Sequence, residues 1–371
     1  MELKEALKEA IAALQQPHTL GKALVGFDGY IDQIKKVIKK RLKDKVEPFP
    51  TIADFADRLA FAAGKSAQLE LVSETTKLGG NAPIMANALA GLAFETTCVG
   101  TLGAPEIDPV FQDLSATLIS LGPAAETIAL EFGDGKLILS DVKAFEDLGW
   151  EKVKSVVGLP RLERLFAESQ LLALVDWSNL PLANDFLQGI RTELVPKTAT
   201  GNQHFFFDLA DPTAKSPADI IAIVETMGSF STFGKVTLGV NENEALFLYQ
   251  IYYPDQSKPE TLIDIGQAIF AKLSVDELVI HPLDCAVYVS TDQTVEQAGR
   301  VVMDPKIQTG AGDNLNAGYC LGVQLNLSPS ACLICGMGNS GAYVSLGHSP
   351  NKTELIDYLE NWLASITDTL H

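Results

Sequence analysis

The sequence predicts an α/β protein: a central, mostly parallel sheet between two helical layers, with a small β lid added. Three observations predict it. Short apolar runs recur along the chain, segments of 3.6-residue periodicity lie between most of them, and one stretch breaks that rhythm. Strands that read as continuous apolar runs and alternate with helices form parallel sheets covered on both faces. The 371 residues suffice for one large domain or two ordinary ones. No Gly/Ser/Pro linker, internal repeat or low-complexity segment divides them, so residues 1–371 read as one domain with an appended lid.

Each element has its own reason. Leu3, Ala6, Leu7, Ala10, Ile11 and Leu14 share one face of an amphipathic helix over residues 1–16, which Pro17 ends. Residues 23–26 form a short apolar run closing on glycine, a buried strand. The same pattern returns at 97–99, 171–175, 204–207, 236–240, 278–280 and 286–289. The exception is 127–140, where two β-prone runs flank Gly133-Asp134-Gly135 and predict a hairpin. In open sheets of this kind ligands bind beyond the carboxyl ends of the strands, so chemistry is sought just after each run.

Composition narrows the function. Apolar residues are 47% and charged ones 20%, a globular balance. Lys and Arg number 28 against 47 Asp and Glu, a net charge of -19. Such a surface repels phosphate backbones and anionic lipid, which excludes nonspecific nucleic-acid or membrane-surface binding. An anionic ligand then needs a local device: backbone amides, a cation or a small basic patch. The five cysteines do not make a disulfide framework, and Cys332-x-x-Cys335 lacks the second pair or nearby histidines of a zinc site. No apolar run reaches about 18 residues. The N-terminus carries acids where a signal peptide needs bases, so a reduced, cytoplasmic protein is expected.

Four segments could carry chemistry. Thr309-Gly310-Ala311-Gly312-Asp313 opens a helical pattern. Its glycines let successive amides point at one spot, and amides at a helix start hold an anion with help from the helix dipole. Asp313 beside that nest can deprotonate a hydroxyl, which suits phosphoryl transfer, or it can simply cap the helix. Gly79-Gly80-Asn81 opens a small-residue helix. The glycines admit either a ligand or tight packing, and Asn81 offers both donor and acceptor. Asp28 and Asp32 follow the first strand and suit polyol hydroxyls, or a turn and an N-cap. Asn241-Glu242-Asn243-Glu244 supplies hard oxygens for water-mediated Mg²⁺, or a polar helix start.

Together these segments resemble the ribokinase-like (PfkB) family of carbohydrate and nucleoside kinases, in the family's order from about residue 23 to 359. The resemblance implies a three-layer α/β/α fold with a β lid from about 28–48 and 125–141, and a nucleotide-side half from about 235 to 371. It implies Asp313 as catalytic base and the amides of Gly310, Ala311 and Gly312 as the anion hole. Asp32 and Asp28 would grip sugar hydroxyls, with Gly79, Gly80 and Asn81 beside them. Asn241 and Glu244 match the element that positions Mg²⁺ and phosphates, Glu244 through water, and Asn339 falls at a nucleotide-side asparagine. ATP, Mg²⁺ and a monovalent cation are the implied cofactors. The implied partners are a sugar or sugar derivative and, through the lid, a second copy of the chain. The expected activity is transfer of a nucleotide phosphoryl group to a sugar or polyol hydroxyl. The alternatives are a nucleoside or vitamin kinase, or a catalytically silent sugar sensor.

The chain also departs from the family's pattern. Ile84 stands where an asparagine is usual. After the strand ending at Ile280 the chain reads His281-Pro282-Leu283-Asp284-Cys285-Ala286, with neither expected glycine, so Leu283 is expected to obstruct the nucleotide. Seven cations from Lys35 to Lys45 read as a solvated face, or as a field that greets an anionic substrate. The strand-end residues Asp176 and Asp208 face the cleft as ligands or helix caps, and Lys215 is within reach of a phosphate.

Overall fold

The computed structural model describes residues 2–43 and 45–368; Met1, where the expected first helix begins, and the last three residues of the expected domain lie outside them. The chain starts with α1 (Leu3–Gln15), β1 (Lys22–Gly26), β2 (Tyr30–Arg41), β3 (Val46–Pro48), α2 (Ile52–Ala62), β4 (Glu70–Gly79) and α3 (Asn81–Gly91). It continues with β5 (Glu95–Gly100), β6 (Thr117–Ser120), β7 (Ala125–Phe132), β8 (Gly135–Asp141), α4 (Trp150–Val157), α5 (Leu159–Glu168) and β9 (Ser169–Leu174). Next are α6 (Ala183–Gly189), α7 (Val195–Thr198), β10 (His204–Asp208), α8 (Pro217–Gly228), β11 (Lys235–Asn241), α9 (Glu242–Tyr252) and α10 (Leu262–Phe270). The remainder is β12 (Glu277–His281), β13 (Cys285–Ser290), β14 (Thr294–Ala298), α11 (Ala311–Gln324), α12 (Pro329–Leu346) and α13 (Lys352–Asp368).

The main sheet has the order β14-β13-β12-β11-β10-β9-β1-β5-β6. From β6 across to β12 every pairing is parallel, and β13 and β14 add an antiparallel edge. Side chains alternate between faces, so each strand feeds two cores. Leu172 and Leu174 join Leu24, Phe205 and Phe207 under α4–α10; Leu171 and Ala173 join Val25 and Phe206 under α1, α3 and α11–α13. That is the expected three-layer arrangement. Strand order reverses between β1 and β9: later strands extend the sheet on one side of that line, and β5 and β6 on the other. At such a switch point the loops after two neighbouring strands part and leave a crevice.

The lid is a second, five-stranded sheet in which β2 pairs with β3, β4 and β7, and β8 pairs with β7. The expected hairpin is β7–β8. The lid is larger than expected from the sequence, because β4 also belongs to it. Val37, Phe49, Phe55 and Leu130 form its small core. The basic stretch lies on β2 and its turn, where Lys36, Lys39, Arg41 and Lys45 pair with Glu74, Asp54, Glu70 and Glu47. Those pairs are exposed, so four of the seven cations are answered by acids of the lid itself. All five cysteines are free. No described helix is long and apolar enough to cross a membrane.

Candidate active site

The glycine pair and the acid pair are one structure. A side chain at Gly79 would run into the Asp32 carboxylate, and one at Gly80 into that of Asp28. Gly80 also has φ 94°, where a Cβ is strained, and it caps α3. The two glycines therefore make room for two carboxylates. Asp28 Oδ1 accepts from the Ala82 amide at 2.8 Å, in the first turn of α3, while Oδ2 is buried without a partner. Burial, followed at a distance by the charge of Asp208, pushes the Asp28 carboxyl up to about 7, against the pull of backbone amides. Asp32, on β2, accepts from the Thr127 hydroxyl at 2.6 Å. Burial raises its carboxyl too, partly countered by Thr127, Lys77 and Lys136.

Three more carboxyls converge from the ends of other elements. Asp176 follows β9, across the switch point from Asp28, with φ 63° and no exposed surface. Asn179 donates to its Oδ1 at 2.6 Å, and its Oδ2 has no partner. Asp208 ends β10 and accepts from Asn316 (2.9 Å), the Ala210 amide (2.8 Å) and Asn81 (3.4 Å). Asp313 lies in the first turn of α11, and only 9% of it is exposed. Burial first, then the charges of Asp208, Asp28 and Asp176, hold the Asp313 carboxyl well above its ordinary range. Perturbed carboxyls gathered at a switch point are the physical mark of a functional cleft.

The loop ahead of α11 is more constrained than an open nest. Gly310 caps the helix at φ 95°, and a side chain there would meet Ile84 and the Tyr343 hydroxyl. The Ala311 amide donates to the Gln308 carbonyl at 3.2 Å, closing a tight turn. Of the three amides expected to form an anion hole, Ala311's is thus engaged. Asn241 and Glu244 form a capping box: Glu244 accepts from the Asn241 amide at 2.9 Å and its side chain at 2.6 Å, and Asn241 accepts from the Glu244 amide at 3.0 Å. Burial, then the charge of Asp208, pushes the Glu244 carboxyl up to about 8. The pair therefore joins the edge of the acid cluster.

Other expected residues stand apart. Asn339 has no exposed surface and donates to the Asn314 carbonyl at 2.7 Å, tying α12 to α11. Leu283 is 95% exposed, and Ala286 is buried in the core. Lys215 donates to the Leu180 carbonyl at 2.8 Å. Ile84 packs by Gly310. Asp176 and Asp208, which the sequence offers as cleft ligands or helix caps, come together because β9 lies between β1 and β10. Lys77 and Lys136 carry no motif in the sequence; they are lysines on lid strands whose charges act on Asp32. They line a cavity of about 700 Å³ between the lid and residues 305–309.

Comparison with known proteins bears on the chain as a whole. A family model for prokaryotic ketohexokinase matches residues 2–362. A ketohexokinase of Haloferax volcanii is 30% identical over 350 residues, 92% of this chain and 92% of that one. The fold is similar to the Arabidopsis thaliana ribokinase solved with ribose and ATP (TM-score 0.63, 15% identity, 92% of this chain and 99% of that one). It is also similar to the ribokinase of Thermotoga maritima (TM-score 0.61, 16% identity, 92% and 100%).

Proposed function

Because the chain belongs to the prokaryotic ketohexokinase family, we propose that it moves the γ-phosphoryl group of ATP onto a hydroxyl of a ketohexose. Membership fixes an ATP-dependent carbohydrate kinase. The observation that carries the finer reading is Asp313, nearly buried, in the first turn of α11 where the switch-point carboxyls converge. In this reading Asp32 and Asp28 accept hydrogen bonds from the sugar, and Asn81 fixes its rim. Asp313, ionised, takes the proton of the attacked hydroxyl. That oxygen bonds to the γ-phosphorus as the bond from phosphorus to the β–γ bridging oxygen breaks, and ADP leaves with the electron pair. The amides that follow Ala311 in the first turn of α11 face the developing charge, and the lid keeps water out.

Among the described residues no three His, Cys, Asp or Glu side chains are arranged to hold a metal ion. The acid set still fits a cation that brings other ligands with it: Asp28 and Asp176 each keep an unpartnered buried oxygen, and Glu244 is held up by its neighbours. Mg²⁺ carried by the nucleotide would be held near Glu244 through water, and when bound it supplies neutralisation of phosphate charge.

The test is Asp313→Asn assayed with ATP and a panel of ketohexoses, aldohexoses and nucleosides. The expected result is turnover of a ketohexose by the unmutated protein, reduced about 10²–10⁴-fold in kcat in the variant. Near-normal turnover in Asp313→Asn removes it as base, and preference for a nucleoside removes the ketohexose.

A further inference from the structure

The phosphoryl-transfer loop is gripped from outside its own layer. Thr309, the residue before the helix cap, is held at two points. Tyr343 of α12 donates its hydroxyl to the Thr309 carbonyl at 2.7 Å, and Lys136 of the lid donates its ammonium to the Thr309 hydroxyl. Thr309 and Gly310 are the two middle residues of the turn that the Ala311 amide closes onto Gln308. One side chain of the lid therefore acts on the turn from which the α11 amides start.

Lys136 does not rest there cheaply. It faces the cavity with Lys77, and both ammonium groups are pulled from water. A lysine side chain held in one geometry also loses much rotamer freedom. The opposing charges are Asp32 and Glu131, the latter across the β7–β8 ladder from Lys136. A surface lysine free to turn outward would avoid the cost. Here it crosses from one sheet to a loop of the other.

We propose that Lys136 is the latch of the lid: a positioning residue whose bond to the Thr309 hydroxyl ties lid closure to the shape of the loop that presents the α11 amides. The proposal rests on the kinase reading above. For sugar to enter, the lid moves away and the bond breaks. When the lid closes, the bond re-forms, so the amides are set only while the lid is closed and water is excluded.

Lys136→Met keeps the stem and removes the donor. Thr309→Val keeps the shape and the Tyr343 bond and removes the acceptor. Each is expected to lower kcat about 10-fold, the scale of one hydrogen bond to a charged group, with KM for ATP nearly unchanged. Hydrolysis of ATP should rise relative to sugar phosphorylation, Lys136→Arg should recover part of kcat, and the double variant should be no worse than either single one. In the free protein both variants should speed amide exchange in β7–β8 and in residues 305–310. Additive losses, faster turnover, or unchanged kcat and exchange overturn the latch. Should Lys136→Met fail to fold, Thr309→Val reads the same bond. If the unmutated protein phosphorylates no ketohexose, the functional reading falls while the exchange measurement still decides the latch.

Discussion

Buried carboxyls stand at both ends of the same sheet, in opposite condition. At the amino ends of β10–β12, Glu277 is 4% exposed and accepts from Thr237 (2.7 Å), Tyr319 (2.9 Å), Tyr288 (2.9 Å) and Lys235 (2.5 Å). Burial pushes its carboxyl up, but Lys235's charge and these bonds win and hold it below its ordinary value. At the carboxyl ends, Asp28 and Asp176 keep an orphan oxygen each, and every carboxyl of the cluster is raised. A buried carboxylate with four donors is finished: it holds the fold. One with a missing donor, among like charges, waits for protons, cations or substrate hydroxyls to complete it.

The sharpest way to break this contrast is at Glu277. Glu277→Ala takes the acceptor from the buried Tyr288 and Tyr319 hydroxyls, and should cost about 3–5 kcal/mol of stability by denaturant titration. Turnover per folded molecule should fall far less than in Asp313→Asn; if activity falls most, the amino end is no mere anchor. Asp32→Ala should behave the other way, weakening sugar binding by about 1.5–3 kcal/mol with ATP affinity nearly unchanged, measured by calorimetry. Equal loss of both ligands would make Asp32 structural.

The smallest effect, and the one that addresses both ends together, is the pH dependence of stability. Carboxyls raised by folding contribute stability that is full below their unfolded pKa and lost as pH rises through the folded one, about 7 for Asp28 and about 8 for Glu244. Glu277, depressed, contributes above its unfolded value and loses that contribution as acid protonates it. Melting temperature should therefore decline between roughly pH 5 and 8, less so in Asp28→Asn or with Mg²⁺ and ADP present. A flat profile would show the acid cluster relieved by something other than protons.

The sequence shows these regions unevenly. Strands such as residues 171–175 and 236–240 were legible because burial on both faces leaves an unbroken apolar run. β4 was not: Glu-Leu-Val-Ser-Glu-Thr-Thr-Lys-Leu-Gly lies on an exposed lid, and no buried face imposes a pattern. Gly79-Gly80 stood out as a motif, yet the reason for it, room for Asp32 and Asp28, needs β2 and β4 paired in register. Asp176 and Asp208 could not be told from helix caps until strand order brought them together. Glu277 begins an apolar strand, a visible anomaly, but its four partners come from three other elements, β11, β13 and α11. The amides of the Gly310–Gly312 loop are read from glycines placed at a helix start, and that placing says nothing about the turn that engages Ala311.

Helix α11 joins the two ends. It carries Asp313 in its first turn and, six residues on, Tyr319, whose hydroxyl is fastened to Glu277. Glycines set it hard against α12, Gly318 against the Cys335 carbonyl and Gly322 against Cys332. Asp313 and Tyr319 are about 9 Å apart along the axis, at about 1.5 Å per residue. The helix is thus a short strut that spans the sheet from the finished carboxyl to the unfinished ones, so loosening its anchor should show as lost stability before it shows as lost turnover.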